Sequence, residues 1–475
     1  MSSYRPLAAV VLAAGEGTRM RSATPKVLHP LCGRPMLLHV IDALTMLPLD
    51  RIVVVVGHGA ESVTKTLQDQ IGTDTPVEFV EQRVQRGTGD AVGVALTASA
   101  FEDLDAEDDL LVVPGDTPLL RPQTLVELVV EHRSADAAAT LLTASVHDAA
   151  GYGRVVRDRH GEVTRIVEDA DASDEEREIE EINTSIYCFR RPFLAPALRR
   201  LSPSNTQHEY YLTDAVGVLS GAGHRVVAVT AGDPEEVVGV NDRVQLAAAE
   251  SELRRRINDA WMVSGVTMVD PSRVYVDAGV EIAADVRLLP GTILEGRTVV
   301  ASGSVIGPDC RLTDAVIGER CAVSSSVVRE AEVGDDCIVG PFAYLRPGSR
   351  VAAGAKVGTF VEIKNSDIGE GARVPHLSYV GDADVGAGAN LGASTITANY
   401  DGTQKHRTKI GRDVHTGVHT SLRAPVEVGD GAETGAGSVV TNDVPPGALV
   451  KGVPARQARR KGAEVREDEG SGEAV

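Results

Sequence analysis

The stretch Val333-Gly334-Asp335-Asp336-Cys337-Ile338-Val339-Gly340-Pro341-Phe342-Ala343-Tyr344-Leu345 decides the reading of half of this chain. Val333, Val339 and Leu345 stand six residues apart, and Val351, Val357 and Ile363 extend the series. Upstream, Val276, Ile282, Leu288, Leu294, Val300, Ile306 and Leu312 keep the same step in an earlier phase. Downstream, Ile410, Thr416, Leu422, Val428, Thr434 and Val440 resume it. An amphipathic helix repeats at about 3.6 residues and a strand at about two, so neither produces this period. A coil with three short parallel strands per turn does, because each side returns one apolar side chain to the axis. Gly, Ala, Ser and Asp crowd the intervening positions, where the chain must turn a corner. The second half is a parallel β-helix.

The chain has 475 residues, too many for one core, and only 3% are aromatic, as a solenoid of Val, Ile, Ala and Gly requires. A net charge of −21 argues against nucleic acid or an anionic membrane surface as partner. Cys32, Cys188, Cys310, Cys321 and Cys337 form an odd set without a CxxC pair, the usage of a reduced protein. The apolar run Leu7–Ala14 is too short to span a membrane and lacks a signal-peptide pattern, so a cytoplasmic enzyme is expected.

Residues 5 to about 240 alternate apolar runs (Ala8–Ala14, Arg51–Val56, Val77–Val80, Leu110–Val113) with helical patterns (Pro35–Met46, Gly89–Ala100, Pro122–Arg133). That alternation predicts a mostly parallel, Rossmann-like α/β sheet with helices on both faces. Val244–Val263, free of glycine, reads as one connecting helix. The expected division is an α/β domain over 1–242, a linker helix over 243–263, a β-helix over 264–457 and a disordered tail over 458–475. The coil is interrupted by a non-repeating insertion at Asn399–Thr408.

After the first strand comes Leu12-Ala13-Ala14-Gly15-Glu16-Gly17-Thr18-Arg19-Met20, then Pro25-Lys26. Glycines at 15 and 17 let backbone N–H groups approach a triphosphate, and Arg19 and Lys26 can neutralise it. A glycine loop alone often only turns a chain; the arginine and proline-lysine at fixed offsets point further. The stretch resembles the signature of sugar-nucleotidyltransferases. By that resemblance, Gln82 with Gly87-Thr88 reads the nucleotide base. Gly151-Tyr152-Gly153-Arg154, Glu168, Asn183 and the Glu209–Asp214 run correspond to an acetamido-sugar pocket. Asp116, at a strand end where doubly wound sheets hold ligands, could instead be a helix N-cap. With Asn241, at the family's metal-binding position, it offers hard oxygen ligands suited to Mg²⁺.

A hexapeptide coil is either a passive trimer-forming scaffold or an acyltransferase. Arg346, Lys364, His376, Tyr379, Asn390, Asn399, Tyr400 and Lys405 lie on consecutive turns of this one, and a β-helix core needs none of them. A lone histidine is more often a surface residue than a base. Here two cations suit a sugar phosphate, and tyrosines and asparagines suit its hydroxyls, so His376 is the candidate base for an attacking amine. Glu362 is the candidate to orient it or to stabilise its charged form.

With both halves in this order, Leu7 to Pro454 resembles the bacterial family of bifunctional N-acetylglucosamine-1-phosphate uridylyltransferase/glucosamine-1-phosphate N-acetyltransferases of cell-wall precursor synthesis. The resemblance implies a left-handed β-helix, a homotrimer, acetyl-CoA between neighbouring subunits and Mg²⁺ in the first domain. It implies that the second domain acetylates glucosamine-1-phosphate and the first joins N-acetylglucosamine-1-phosphate to UMP from UTP. Leu12, Ala13, Ala14, Gly15, Lys26, Gln82, Gly87, Thr88, Gly153, Glu168, Asn183 and Asn241 would bind nucleotide and product. Arg346, Lys364, Tyr379 and Asn390 would bind the amino-sugar phosphate. Ala393, Asn399, Tyr400, Lys405, Val418, Ala436 and Lys451 would bind acetyl-CoA. Three positions depart from the family pattern: Asp90 replaces a histidine, Val418-His419 replaces Ser-Asp, and Lys451 stands for a C-terminal arginine. The competing readings are a uridylyltransferase whose coil only trimerises, and a non-catalytic subunit, which would be expected to lose Arg19, Lys26 or Asp116.

Overall fold

A computed structural model describes residues 5–57, 59–68, 70–98, 101 and 108–458. The chain divides into two compact units, Met1–Leu253 and Arg254–Val475. Beyond Ala458, the expected tail lies outside the described residues.

The first unit is built on strands β1 (Leu7–Ala13), β2 (Arg51–Val56), β3 (Val77–Glu81), β4 (Asp109–Pro114), β5 (Ala139–Ser145), β6 (Glu181–Arg190) and β7 (Val226–Thr230). Their order is β7-β5-β6-β4-β1-β2-β3. β1 runs parallel to β2 and β4, placing Leu12 beside Val55 and Pro114. Alternate residues of β1 serve opposite cores: Ala9 and Val11 pack into one, Ala8 and Val10 into the other. β6 is antiparallel to β4 and β5. Its register breaks between Asn183 and Ile186, where Ser185 takes a left-handed conformation. The helix expected at Gly89–Ala100 runs over Thr88–Ala95, and the Thr97 hydroxyl back-bonds to Val94 O at its end. Residues 99 and 100 lie outside the described residues.

The connecting helix is Arg243–Val263. Asp242 starts it by accepting from the N–H groups of Val244 and Gln245 (2.8 and 2.9 Å). Leu246 and Leu253 pack within the first unit. Ile257, Trp261 and Met262 pack against the core of the second.

The second unit is a left-handed parallel β-helix whose walls are sheets of seven, ten and nine strands. The first wall begins at Thr267–Met268, the second at Val274–Val276 and the third at Glu281–Ile282. Every hexapeptide position named above, from Val276 to Val440, is buried. The small polar residues serve the corners: Asp309, Asp336, Asn365, Asp382 and Ser394 all have positive φ there. The insertion leaves the ladder after Asn399 and returns at Thr408, with Tyr400 bridged to Lys405.

Candidate functional site

The first candidate site forms where β1 and β4 end. Gly17 has φ 63°, and a Cβ there would lie 2.6 Å from the Lys26 Cβ. The glycine and the lysine of the signature are therefore packed against each other. Lys26 Nζ donates to Asp116 Oδ2 and, at 2.8 Å, to Asn241 Oδ1. Arg19 Nη2 donates to the same Asn241 oxygen (2.9 Å). The amide of Asn241 is held one way round: its Nδ2 donates to Gly239 O (3.3 Å), leaving Oδ1 for the cations. Its backbone N–H donates to Gln245 Oε1 (2.7 Å), one turn into the connecting helix, and Val240 N–H to Asp116 O (2.8 Å). Arg19, Lys26, Asp116 and Asn241, far apart in sequence, thus form one cluster. Two oxygen donors already converge on a single positive charge, the chemistry a small divalent cation requires. Among the described residues no group of three or more His, Cys, Asp or Glu forms a metal-holding cluster. Mg²⁺ suits such a sparse set, because it takes few protein ligands and completes its shell with phosphates and water.

The segment expected to read the base folds onto the Glu209–Asp214 run. Gly89 N–H donates to Tyr210 O, and Tyr210 N–H to Arg86 O (both 2.8 Å). Thr88 Oγ1 accepts from Leu212 N–H (3.0 Å). Gly87 has φ 105°, and a Cβ there would come 2.6 Å from Tyr210 O. Two residues at this end of the sheet escaped the sequence reading. Gln85 Nε2 donates to Ala14 O (2.6 Å), and Gly57 passes so close that a Cβ would meet the same carbonyl at 2.3 Å. The signal for Gly57 was a glycine closing the β2 run; Gln85 carried none.

Gly153, Glu168 and Asn183 also meet. Gly153 O accepts from Asn183 N–H (2.8 Å), and a Cβ on Gly153 would touch Glu168 Oε2. Burial pushes the Glu168 carboxyl above its ordinary range, although Thr213 donates to it at 2.8 Å. Burial, then the nearby Asp116, raise the Tyr152 phenol in the same way. Glu168, Asp171, Tyr211 and Asp214 line a cavity of about 330 Å³.

In the second unit, Lys364 and Tyr379 lie on the second wall, and Arg346 directly follows its strand Tyr344–Leu345. Asp382, at the corner after this wall, joins them to the insertion. It accepts from Lys364 Nζ (3.2 Å), Asn365 Nδ2 (2.7 Å) and Asn399 Nδ2. Asn399 Nδ2 also approaches the Tyr379 hydroxyl (3.4 Å), and a Cβ on Gly381 would collide with that tyrosine. Burial opposes ionisation of Asp382, but the bonds from Asn365, Asn399 and Lys364 hold its carboxyl below the ordinary range. Sequence reasoning missed Asp382 because Asp309, Asp314 and Asp336 occupy similar corners without these partners. Glu362 accepts from Arg346 Nη1 (2.8 Å); the expected pairing with His376 is not what forms. Arg346 offers a nearby guanidinium fork, the better partner for a carboxylate on the same wall.

His376 is exposed at the corner between the first and second walls. Ser394 N–H donates to His376 O, His419 N–H to Ala393 O, and Gly437 N–H to Val418 O (3.2, 2.7 and 2.8 Å). These bonds stack His376, Ala393, Val418 and Ala436 in one column, each just before a residue of positive φ. On the first wall, Asn390 bridges Arg373 and His415, and Leu449–Gly452, which carries Lys451, pairs with Glu433–Thr434. Asn390 and Lys451 thus project from a different wall than Lys364 and Tyr379. A groove of about 1040 Å³ on the third wall contains none of the expected residues.

A family described as a MobA-like NTP transferase domain matches residues 9–215. "Bifunctional protein GlmU" of Streptomyces avermitilis is 48% identical over 452 residues, 94% of this chain and 92% of that protein. The protein of the same name from Thermobifida fusca is 49% identical over 449 residues, with the same coverage. That of Brevibacillus brevis is 49% identical over 441 residues, 93% of this chain and 94% of that protein. No helix among the described residues is long and apolar enough to cross a membrane.

Proposed function

This chain belongs to the family of bifunctional GlmU proteins, and from that premise we propose how its two residue sets divide uridylyl transfer and acetyl transfer. The observation that supports the division is that each unit gathers a polar side-chain cluster of its own. Arg19, Lys26, Asp116 and Asn241 meet in the first; Lys364, Tyr379, Asn399 and Asp382 meet in the second.

In the second unit the amine of glucosamine-1-phosphate attacks the thioester carbonyl of acetyl-CoA. The C–N bond forms, the C–S bond breaks, and CoA leaves as the thiol. His376 accepts the amine proton, and its exposed ring on the column edge suits that role. Arg346 and Lys364 hold the sugar phosphate, while Tyr379 and Asn390 hold its hydroxyls. The small Ala393 and Ala436 leave room along the column for the CoA arm, with Val418 between them. Asn399, Tyr400, Lys405 and Lys451 meet the rest of the cofactor.

In the first unit a phosphate oxygen of N-acetylglucosamine-1-phosphate displaces pyrophosphate from the α-phosphorus of UTP. Leu12–Gly15 and Gly17 offer backbone N–H groups to the triphosphate; Arg19 and Lys26 orient it and neutralise its charge. Gln82, Gly87 and Thr88 hold the base, and Gly153, Glu168 and Asn183 hold the acetamido sugar. Asp116 and Asn241 would hold Mg²⁺, which when bound neutralises developing phosphate charge. The working protein is a cytoplasmic homotrimer in this reading.

The test is thiol release from acetyl-CoA with glucosamine-1-phosphate or N-acetylglucosamine-1-phosphate as acceptor. Release with the amino sugar alone is expected. No release, from a sample that still makes UDP-N-acetylglucosamine, would reduce the coil to a scaffold.

A further inference from the structure

Gln82 is buried, 4% exposed, and both acceptors it meets lie on one side of its amide. Its Nε2 donates to Asp90 Oδ2 (2.9 Å) and to Gly87 O (3.2 Å). Neither a carboxylate nor a carbonyl can donate, so this amide has one permitted orientation, with nitrogen inward and Oε1 outward. Arg86 Nη2 donates to the other Asp90 oxygen (2.8 Å) and fixes the carboxylate in turn. Beside it, the Gly87 N–H has no acceptor among the described residues. Gln82 Oε1 and Gly87 N–H then present one acceptor next to one donor. That pair complements the imide edge of uracil, an N–H beside a carbonyl. Cytosine offers the reverse, a ring nitrogen lone pair beside an amino group, and leaves both protein groups unpaired.

We propose that Asp90 is a positioning residue for nucleobase choice, locking the Gln82 amide so that the site accepts UTP and rejects CTP. The proposal rests on Gln82 and Gly87 being the base-reading groups. Asp90 also lies in the first turn of the Thr88–Ala95 helix, where a negative charge stabilises the helix whatever Gln82 does. A test must therefore separate selectivity from stability.

The measurement is pyrophosphate release from N-acetylglucosamine-1-phosphate with UTP or CTP, giving the ratio of the two kcat/KM values. In Asp90→Asn, Arg86 keeps the side-chain oxygen, so an amino group faces Gln82 where an acceptor stood. Only the Gly87 carbonyl then holds the Gln82 nitrogen inward, against an amino group that favours the reverse, and the UTP:CTP ratio should fall about tenfold or more, chiefly through KM for UTP. Asp90→Glu should retain most of the ratio, and Gln82→Ala should lose it as Asp90→Asn does. Because thiol release reads only the second unit, a thermal melt matching the parent's reports that the first unit of each variant is folded. If Gln82→Ala lowers the ratio and Asp90→Asn does not, the role of Asp90 is overturned while the base-reading assignment survives. A ratio unmoved in both variants overturns that assignment too. Equal losses with UTP and CTP in Asp90→Asn would mark a structural residue and also overturn the proposal.

Discussion

Gly17 has no room for a side chain. Its backbone is left-handed, and an added Cβ would sit 2.6 Å from the Lys26 Cβ, so the lysine must move for alanine to fit. Lys26 is the cation that joins Asp116 to Asn241. Gly17→Ala should therefore cut uridylyl transfer about 10²-fold, the usual cost of displacing a positioned group by about an ångström. Acetyl transfer should be unchanged; comparable loss of both activities would mean misfolding instead. Asp382 makes a prediction about pH. Its folded pKa lies below the unperturbed value of about 3.9, so the stability it confers is present above that value and lost as pH falls through the lower, folded one. Asp382→Asn should melt earlier than the parent at about pH 6, with the gap closing as pH falls below the ordinary carboxylate range of about 3.9. A gap constant over that range would mean that the Asp382 charge contributes nothing. Neither residue's importance was legible in the same way. The Gly17 spacing is part of a motif, whereas Asp382 is one corner aspartate among several until its three donors are seen.

Arg407 ties the return of the insertion to neighbouring turns. Arg407 donates to Asp367 Oδ2 (2.9 Å), to Asp384, and to the carbonyls of Asn365 (3.1 Å) and Ala383 (3.3 Å). It clamps the return of the loop that carries Asn399, Tyr400 and Lys405 onto the coil. The guanidinium is partly exposed, so the contacts together are worth about 1 kcal/mol. Arg407→Ala should then raise KM for acetyl-CoA about fivefold with little change in kcat. A fall in kcat at constant KM would place the loop in the chemical step instead. The insertion itself was readable, because a period of six that stops and restarts marks what lies between as extra chain. The clamp was not, since its carboxylate partners belong to other turns. For the same reason β6 carried no sign of its antiparallel course, as an apolar run has no direction. The bulge beside Asn183 depends on Ser185 taking a conformation that sequence does not announce.

At the scale of the molecule, the coil was the most legible part, because burial repeats with the sequence and each wall receives one apolar residue per turn. The second site was legible as a set of residues but not as a place. Lys364 and Tyr379 face out from the second wall, Asn390 and Lys451 from the first, and His376 stands on the edge between. Groups on two walls of a prism cannot close around one small substrate without a second surface. In the homotrimer proposed above, a neighbouring chain would supply that surface at every interface. If one chain gives Lys364 and the next gives Asn390, then Lys364→Ala and Asn390→Ala are each defective alone but complement each other when assembled together. Random co-assembly in equal amounts leaves an interface with both groups intact about one time in four, so about a quarter of parental acetyl transfer should return. The readout is thiol release after the two inactive variants are unfolded, mixed and refolded, against each refolded alone. The parent protein, unfolded and refolded in the same way, reports recovery of the second unit. Acetyl transfer restored in the refolded parent but not in the mixed variants would mean that a single chain provides every group, and that the two walls serve different ligands.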